Sequence, residues 1–132
     1  MKKIYLASPY SHHNKEVREH RFDYAARVMA LMSTWDDIVI FSPICHSHPI
    51  ALYNNQMSFT FWERLDREFL KWADEMWVLP LPGWKESTGV NAEFLIMDNF
   101  AKPVNVITKL LPLKLLPMSE ALNVEIQLKL DF

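Results

Sequence analysis

Glycine is almost missing from this chain: there are two in 132 residues, and both, Gly83 and Gly89, fall in the single segment Gly83-Trp84-Lys85-Glu86-Ser87-Thr88-Gly89. Backbone freedom is therefore concentrated in one loop, and no low-complexity linker or internal repeat interrupts the rest. Cysteine is represented only by Cys45, which excludes an intramolecular disulfide and fits a reducing compartment. No run of basic residues exceeds Lys2-Lys3, and 14 basic residues face 16 acidic ones for a net charge of −2, so a nucleic-acid polymer is a poor electrostatic match. No apolar stretch approaches the ~20 residues of a membrane span, and the run after Met1-Lys2-Lys3 is too brief for a signal-peptide core. A soluble cytoplasmic protein with no membrane partner is expected.

What the chain does have is apolar mass. Half of its residues are hydrophobic, with five Trp, four Tyr and eight Phe, which places it among compact globular proteins. Its length suffices for one substantial core and does not call for two.

Ile4-Tyr5-Leu6-Ala7 is a short apolar run stopped by Ser8-Pro9 and reads as a first strand. A helical pattern follows from about Lys15 to Thr34, with Val17, Arg21, Tyr24, Val28, Leu31 and Trp35 on one face. Ile38-Val39-Ile40-Phe41 is a second strand, again closed by Ser42-Pro43; strand, helix, strand implies a right-handed parallel crossover. Residues 44 to 60 lack periodicity and read as a loop with room for a short helix around Ile50 to Tyr53. A helix then runs from Thr60 with Trp62, Leu65, Phe69 and Trp72 inward, and Met76-Trp77-Val78-Leu79 is a third strand ended by Pro80-Leu81-Pro82-Gly83. Ser87-Thr88-Gly89 opens a helix to about Phe100 with Val90, Phe94, Met97 and Ala101 inward, and Val104 to Thr108 is a fourth strand.

These alternations predict a single α/β domain over residues 1–108: a flavodoxin/Rossmann-like open parallel sheet of four to five strands with helices on both faces. Residues 109–132 form an extension on the same domain or on a partner subunit. In it Val124, Ile126, Leu128, Leu130 and Phe132 alternate with polar residues, the period of a half-buried edge strand or one exchanged in a dimer.

Ligands of such sheets bind beyond the carboxyl ends of the strands, so the loops after the first three strands should share one crevice. The third loop combines Gly89, which admits a ligand close to the backbone, with a helix start whose amides attract anions. Ser87 or Thr88 serves there as a simple cap, as a ligand contact, or as both. Glu93, one turn beyond Gly89, is either a solvated first-turn glutamate or a carboxylate turned into the crevice, where it could attack an anomeric carbon. Asp66 stands at the edge of an apolar helical stripe. It is either a salt-bridge partner of Arg67 or Lys71, or a partly buried acid with a raised pKa that handles the proton of a leaving base.

Trp84, Tyr10 and Phe59 are candidates for stacking on a flat ring, Trp84 foremost because it stands beside Gly83 in a polar loop. Arg18, Arg21 and Lys85 are candidates for neutralising a phosphate or are simply solvated. Cys45, His46 and His48, with His12 and His13, lack zinc-site spacing, so no metal is expected, and His46 reads instead as a hydrogen-bond donor to the ligand.

Ile4-Tyr5-Leu6-Ala7-Ser8-Pro9-Tyr10, Asp66 with Asp74, and Ser87-Thr88-Gly89-Val90-Asn91-Ala92-Glu93 together resemble the nucleoside 2-deoxyribosyltransferase superfamily over residues 3 to 108. The wording is closest to a poorly characterised branch opening with Tyr-Leu-Ala-Ser-Pro-Tyr. The resemblance implies Glu93 as the nucleophile of a glycosyl-enzyme intermediate, Asp66 as its assistant, and Ala7, Ser8 and Tyr10 around the sugar. Through the related nucleoside 5′-monophosphate N-glycosidases it also implies Ser87 against a 5′-phosphate. The expected ligand is a small nucleoside or nucleotide, without a cofactor, in a homodimer or larger homo-oligomer. Ser8 departs from the glycine of many relatives, and residues 44 to 59 match no motif of the family. A non-catalytic nucleotide-binding or sensing module using the same crevice is the rival reading.

Overall fold

A computed structural model describes residues 1–54 and 57–128, apart from the side chain of Phe59. The strands are β1 (Lys2–Ala7), β2 (Ile38–Phe41), β3 (Glu75–Val78), β4 (Val104–Leu110) and β5 (Leu113–Pro117). They form one sheet in the order β2-β1-β3-β4-β5, parallel throughout except for β5, which returns antiparallel along β4. The helices are α1 (Lys15–Met32), α2 (Pro43–Ala51), α3 (Phe59–Trp72), α4 (Thr88–Asn99) and the short α5 (Met118–Ala121). The doubly wound α/β class read from the sequence is the one observed.

The two-residue period of a strand decides which side chains meet which helices. Ile4 and Leu6 of β1 point to one face, where Trp77 and Ile107 join Ala25, Val28 and Met32 of α1. Tyr5 and Ala7 point to the other, where Met76, Val78 and Val106 meet Leu70 of α3 and Val90 and Met97 of α4. Tyr5 is completely buried there, on the face that also carries α4.

Caps set the helix starts. Asn14 accepts from the Glu16 amide at 2.8 Å, Ser42 from Cys45 at 3.2 Å, Ser58 from Phe61 at 3.2 Å and Ser87 from Val90 at 3.2 Å. Asp74 fastens the bottom of the sheet, its carboxylate accepting from the Lys3 amide at 2.8 Å while its own amide donates to the Lys3 carbonyl at 2.8 Å.

Three segments differ from the sequence reading. Residues 43–51 are helical where a loop was expected. Pro43 sits in the first turn, where its missing N–H costs nothing, and the buried positions Ile44 and His48 form an i, i+4 pair whose histidine disguises the apolar row. The antiparallel edge strand is the Leu/Pro-rich stretch Leu113–Pro117, whereas residues 124–128 carry no strand pairing despite their alternation. Lys129 to Phe132, the rest of that alternating run, lie outside the described residues. Ala101 is exposed rather than inward; it takes a left-handed φ of 56° that ends α4, with the Lys102 amide reaching back to the Met97 carbonyl at 3.0 Å. Among the described residues no helix is long and apolar enough to cross a membrane.

Candidate active site

A cavity of about 500 Å³ opens at the carboxyl ends of the parallel strands. The three loops expected to converge do so: Ser8, Tyr10 and Ser11 come from the segment after β1, Pro43, Ile44 and Ser47 from the start of α2, and Gly83 and Glu86 to Gly89 from the segment after β3. Helix α4 presents Gly89, Ala92, Glu93 and Ile96 to the cavity, a set at i, i+3, i+4 and i+7 that is one helical face. Helix α3 adds Glu63, Asp66 and Leu70 by the same spacing.

Glu93 and Asp66 are thus two partly buried carboxyls on one cavity. Loss of hydration raises Glu93 to about 8; the Tyr5 hydroxyl, which donates to its carboxylate, works against that rise, and the negative charge of Asp66 works with it. Burial alone lifts Asp66 to about 7. The salt bridges open to Asp66 on its own helix are not made, since Arg67 pairs with Glu63 at 3.9 Å and Lys71 with Glu68 at 3.3 Å. Tyr5 itself is held far on the neutral side by its own burial and by the neighbouring carboxylates, so it remains an O–H donor at any working pH. Nothing in the sequence separated Tyr5 from an ordinary strand residue; its inward parity toward the helix bearing Glu93 was the available sign.

The basic side chains near the cavity are tied to carbonyls. Arg21 donates to Ser11 O at 3.0 Å and to Pro82 O at 3.1 Å, lashing the first and third loops together, and Arg18 donates to His12 O at 2.5 Å. Lys85 is turned away, donating to Val124 O at 2.9 Å and lying over the Trp84 ring. The third loop is held from within by Asn91, whose amide donates to the Lys85 carbonyl at 3.0 Å and the Ser87 carbonyl at 2.8 Å.

Gly83 carries a φ of +89°, and a Cβ there would stand 2.9 Å from Nη2 of Arg21. Gly83→Ala should therefore destabilise the fold by about 1–3 kcal/mol through backbone strain and displacement of the Arg21 tie, which thermal melting will register as a lowered Tm. At Gly89 a Cβ would meet only Ser87 Oγ at 3.9 Å. Space on the cavity side of Gly89 is thus left open to a ligand.

The nine residues singled out from the sequence divide clearly. Glu93, Asp66, Ser8, Tyr10, Ser87 and Gly89 line the same cavity. Ala7 is buried behind it, its carbonyl accepting from the Leu79 amide at 2.8 Å, and serves to place Ser8. Trp84 is not brought to the cavity: at 5% exposure it belongs to the core beneath the third loop. His46 is not brought there either, facing outward on α2 against Phe41, Phe69 and Trp62. Two residues apart on a helix means roughly 200° apart around it, so His48 turns inward where His46 turns out. The side chain of Phe59 lies outside the described residues.

The chain has the fold of the 2-deoxyribosyltransferases. A solved 2-desoxiribosyltransferase from Leishmania mexicana superposes with a TM-score of 0.55 at 21% identity, over 81% of this chain and 64% of that one. The chain thus spans about two thirds of that protein's length. A solved 2-deoxyribosyltransferase from Bacillus psychrosaccharolyticus gives a TM-score of 0.52 at 30% identity, over 79% of this chain and 70% of that one. No curated protein matches. Residues 2–109 match the family described as Domain of unknown function (DUF1937), and the chain belongs to that family.

Proposed function

We propose that this protein cleaves the N-glycosidic bond of a (deoxy)nucleoside or nucleoside 5′-monophosphate through a covalent glycosyl-Glu93 intermediate. The observation that carries the proposal is the Tyr5 hydroxyl donating to the Glu93 carboxylate on a cavity shared with Asp66. Two carboxyls withdrawn from water on one cavity, both raised in pKa, suit a displacement at carbon, which needs one as nucleophile and one as acid. The likeness to 2-deoxyribosyltransferases supports the same reaction class.

Ionised Glu93 attacks C1′, and the electrons of the breaking C1′–N bond leave with the base. Protonated Asp66 supplies the proton that the departing nitrogen takes up. In the second half, water or an incoming base attacks C1′ of the glycosyl ester, giving its proton to the Asp66 carboxylate and releasing Glu93. Hydrolysis and base exchange differ only in that acceptor. A 5′-phosphate would lie along the start of α4 beside Ser87, with Glu86 also at the rim, so both phosphorylated and free nucleosides belong in the assay.

The test is chromatographic: deoxyribo- and ribonucleosides and their monophosphates, incubated with and without a second base, are followed for free or exchanged base. Release from at least one substrate is expected. A complete panel without free or exchanged base, combined with tight nucleoside binding, would establish the binding-module reading instead.

Tyr5 offers a second check. Tyr5→Phe keeps the buried ring but removes the donor from Glu93, so the carboxyl should titrate above its present value of about 8. Base release at pH 7 should fall roughly 10- to 100-fold, and the falling limb of the pH–rate profile should move to higher pH. An unmoved pH profile in this variant would remove Tyr5 from the mechanism.

A further inference from the structure

His48 was not used by the reaction above, and the structure gives it a well-defined place. It is 9% exposed on the inner side of α2, its ring stacked on Phe22 of α1 with centroids 4.2 Å apart at 20°. Its Nδ1 lies 2.6 Å from the hydroxyl of Tyr10, a cavity residue. In the Nε2–H tautomer of the neutral ring, Tyr10 donates and Nδ1 accepts across that separation. Burial favours the neutral ring this requires; Glu19 pulls weakly toward the charged form and Arg18 against it, while Tyr10 and Phe22 complete its surroundings. With its hydrogen directed at His48, Tyr10 can offer the cavity only lone pairs.

Two residues earlier in the same loop, Ser8 presents the complementary group. It is 6% exposed, it lines the same cavity, and its Oγ has no hydrogen-bond partner among the described residues. A buried hydroxyl left unmatched is costly, and the cavity is where its partner must come from.

We propose that Ser8 and Tyr10 together read a hydroxyl of the ligand's sugar, the ligand oxygen accepting from Ser8 and donating to Tyr10, with His48 as the positioning residue that makes Tyr10 an acceptor. A hydroxyl is the small group that fits both demands at once. A carbonyl or phosphate oxygen would satisfy Ser8 and find no donor at Tyr10. This rests on the nucleoside reading above, with the discrimination placed in binding so that it can be measured apart from turnover.

The experiment measures affinity by calorimetry in Glu93→Gln protein for adenosine, 2′-deoxyadenosine, 3′-deoxyadenosine and 2′,3′-dideoxyadenosine, while the base-release assay on the unmutated enzyme reports separately on the reaction. Loss of the hydroxyl that is read should weaken binding on the order of tenfold, and the series identifies it as 2′ or 3′. Adding Ser8→Ala or Tyr10→Phe should abolish that difference between analogues. His48→Phe retains the stack on Phe22 but removes the acceptor, and should abolish most of it, whereas His48→Asn, which places an oxygen near the Nδ1 position, should restore part. Folding of each variant is read from its melting curve, and Tyr10→Phe carries the test if His48→Phe does not fold. Equal binding of all four nucleosides, or variants that weaken all four alike, would overturn the proposal whether or not base is released. Absence of base release together with a hydroxyl-dependent affinity would instead overturn the reaction and leave the hydroxyl reading standing.

Discussion

Glu93→Gln is expected to lower base release on the order of 10³-fold or more while making the protein more stable at neutral and alkaline pH. The first half follows from chemistry. An amide cannot form the glycosyl ester, and neither Asp66 nor Tyr5 is an equivalent replacement nucleophile on the cavity. Ligand affinity should survive, because Gln retains the shape of the side chain and an oxygen that accepts from Tyr5. On quenching during turnover, the unmutated enzyme should carry a sugar on the peptide that contains Glu93, visible as added mass, and the variant should not. Base release at the unmutated rate would end the nucleophile assignment.

The stability half follows from proton linkage. In the folded chain Glu93 titrates at about 8 rather than its ordinary 4.5. A carboxyl whose pKa is raised on folding holds its proton in the native state after the unfolded chain has lost its own, so stability falls as pH rises from about 4.5 and stops falling near 8. The destabilisation is absent below that window and complete above it. Gln cannot ionise, so Glu93→Gln should leave stability near pH 4 almost unchanged and raise it on the order of 4 kcal/mol at pH 8, roughly 15 °C in Tm for a chain of this size. A gain that is the same at pH 4 and pH 8 would mean that packing rather than ionisation sets the difference.

The second large effect is in the pH–rate profile. Asp66 at about 7 and Glu93 at about 8 belong to one interacting pair, so protons leave it in two steps whose values describe the pair. The reaction needs Glu93 ionised and Asp66 protonated, which is the minor of the two singly protonated forms because Asp66 gives up its proton before Glu93 does. Between the two steps that state is most abundant; below them no nucleophile exists and above them no acid. The kcat/KM profile of the free enzyme should therefore rise through about 7 and fall through about 8. Asp66→Asn removes the acid. Its rate should be on the order of 10²-fold lower, its falling limb should vanish, and its single rising limb should report Glu93 alone, somewhat below about 8 because the Asp66 charge no longer opposes its ionisation. A falling limb that survives in Asp66→Asn would assign the acid to another group.

Much of this site was legible before any coordinates. Three strand ends closed by Ser-Pro or Pro-Gly wording, two glycines in one loop and a serine cap three residues before Val90 were enough to bring Ser8, Tyr10, Asp66, Ser87, Gly89 and Glu93 toward one crevice. These signals are local, and local chemistry fixes where strands stop and helices begin. The choice between His46 and His48 was out of reach because it depends on residues 43–51 being helical. Their apolar row is broken by a histidine and two prolines, so periodicity did not reveal the phase. Trp84 stands apart from the cavity of Glu93 for a tertiary reason: polar neighbours in the chain said nothing about the core cluster it joins. Alternation in the tail was likewise an unreliable guide, since residues 124–128 follow it and do not pair, while Leu113–Pro117 becomes an edge strand with little alternation because β4 offers it an open ladder.

The strand that carries Tyr5 has neighbours on both sides, β2 and β3, and its ring lies wholly inside one core layer. Segments of that kind exchange their amide hydrogens last, through opening of the whole domain rather than through fluctuations of a loop. The hydroxyl that donates to Glu93 is therefore anchored in a strand expected to be among the last to open. Hydrogen exchange should therefore show the Tyr5 amide among the most protected of the chain, so that the partner of Glu93 stays in place through any local opening at the cavity mouth.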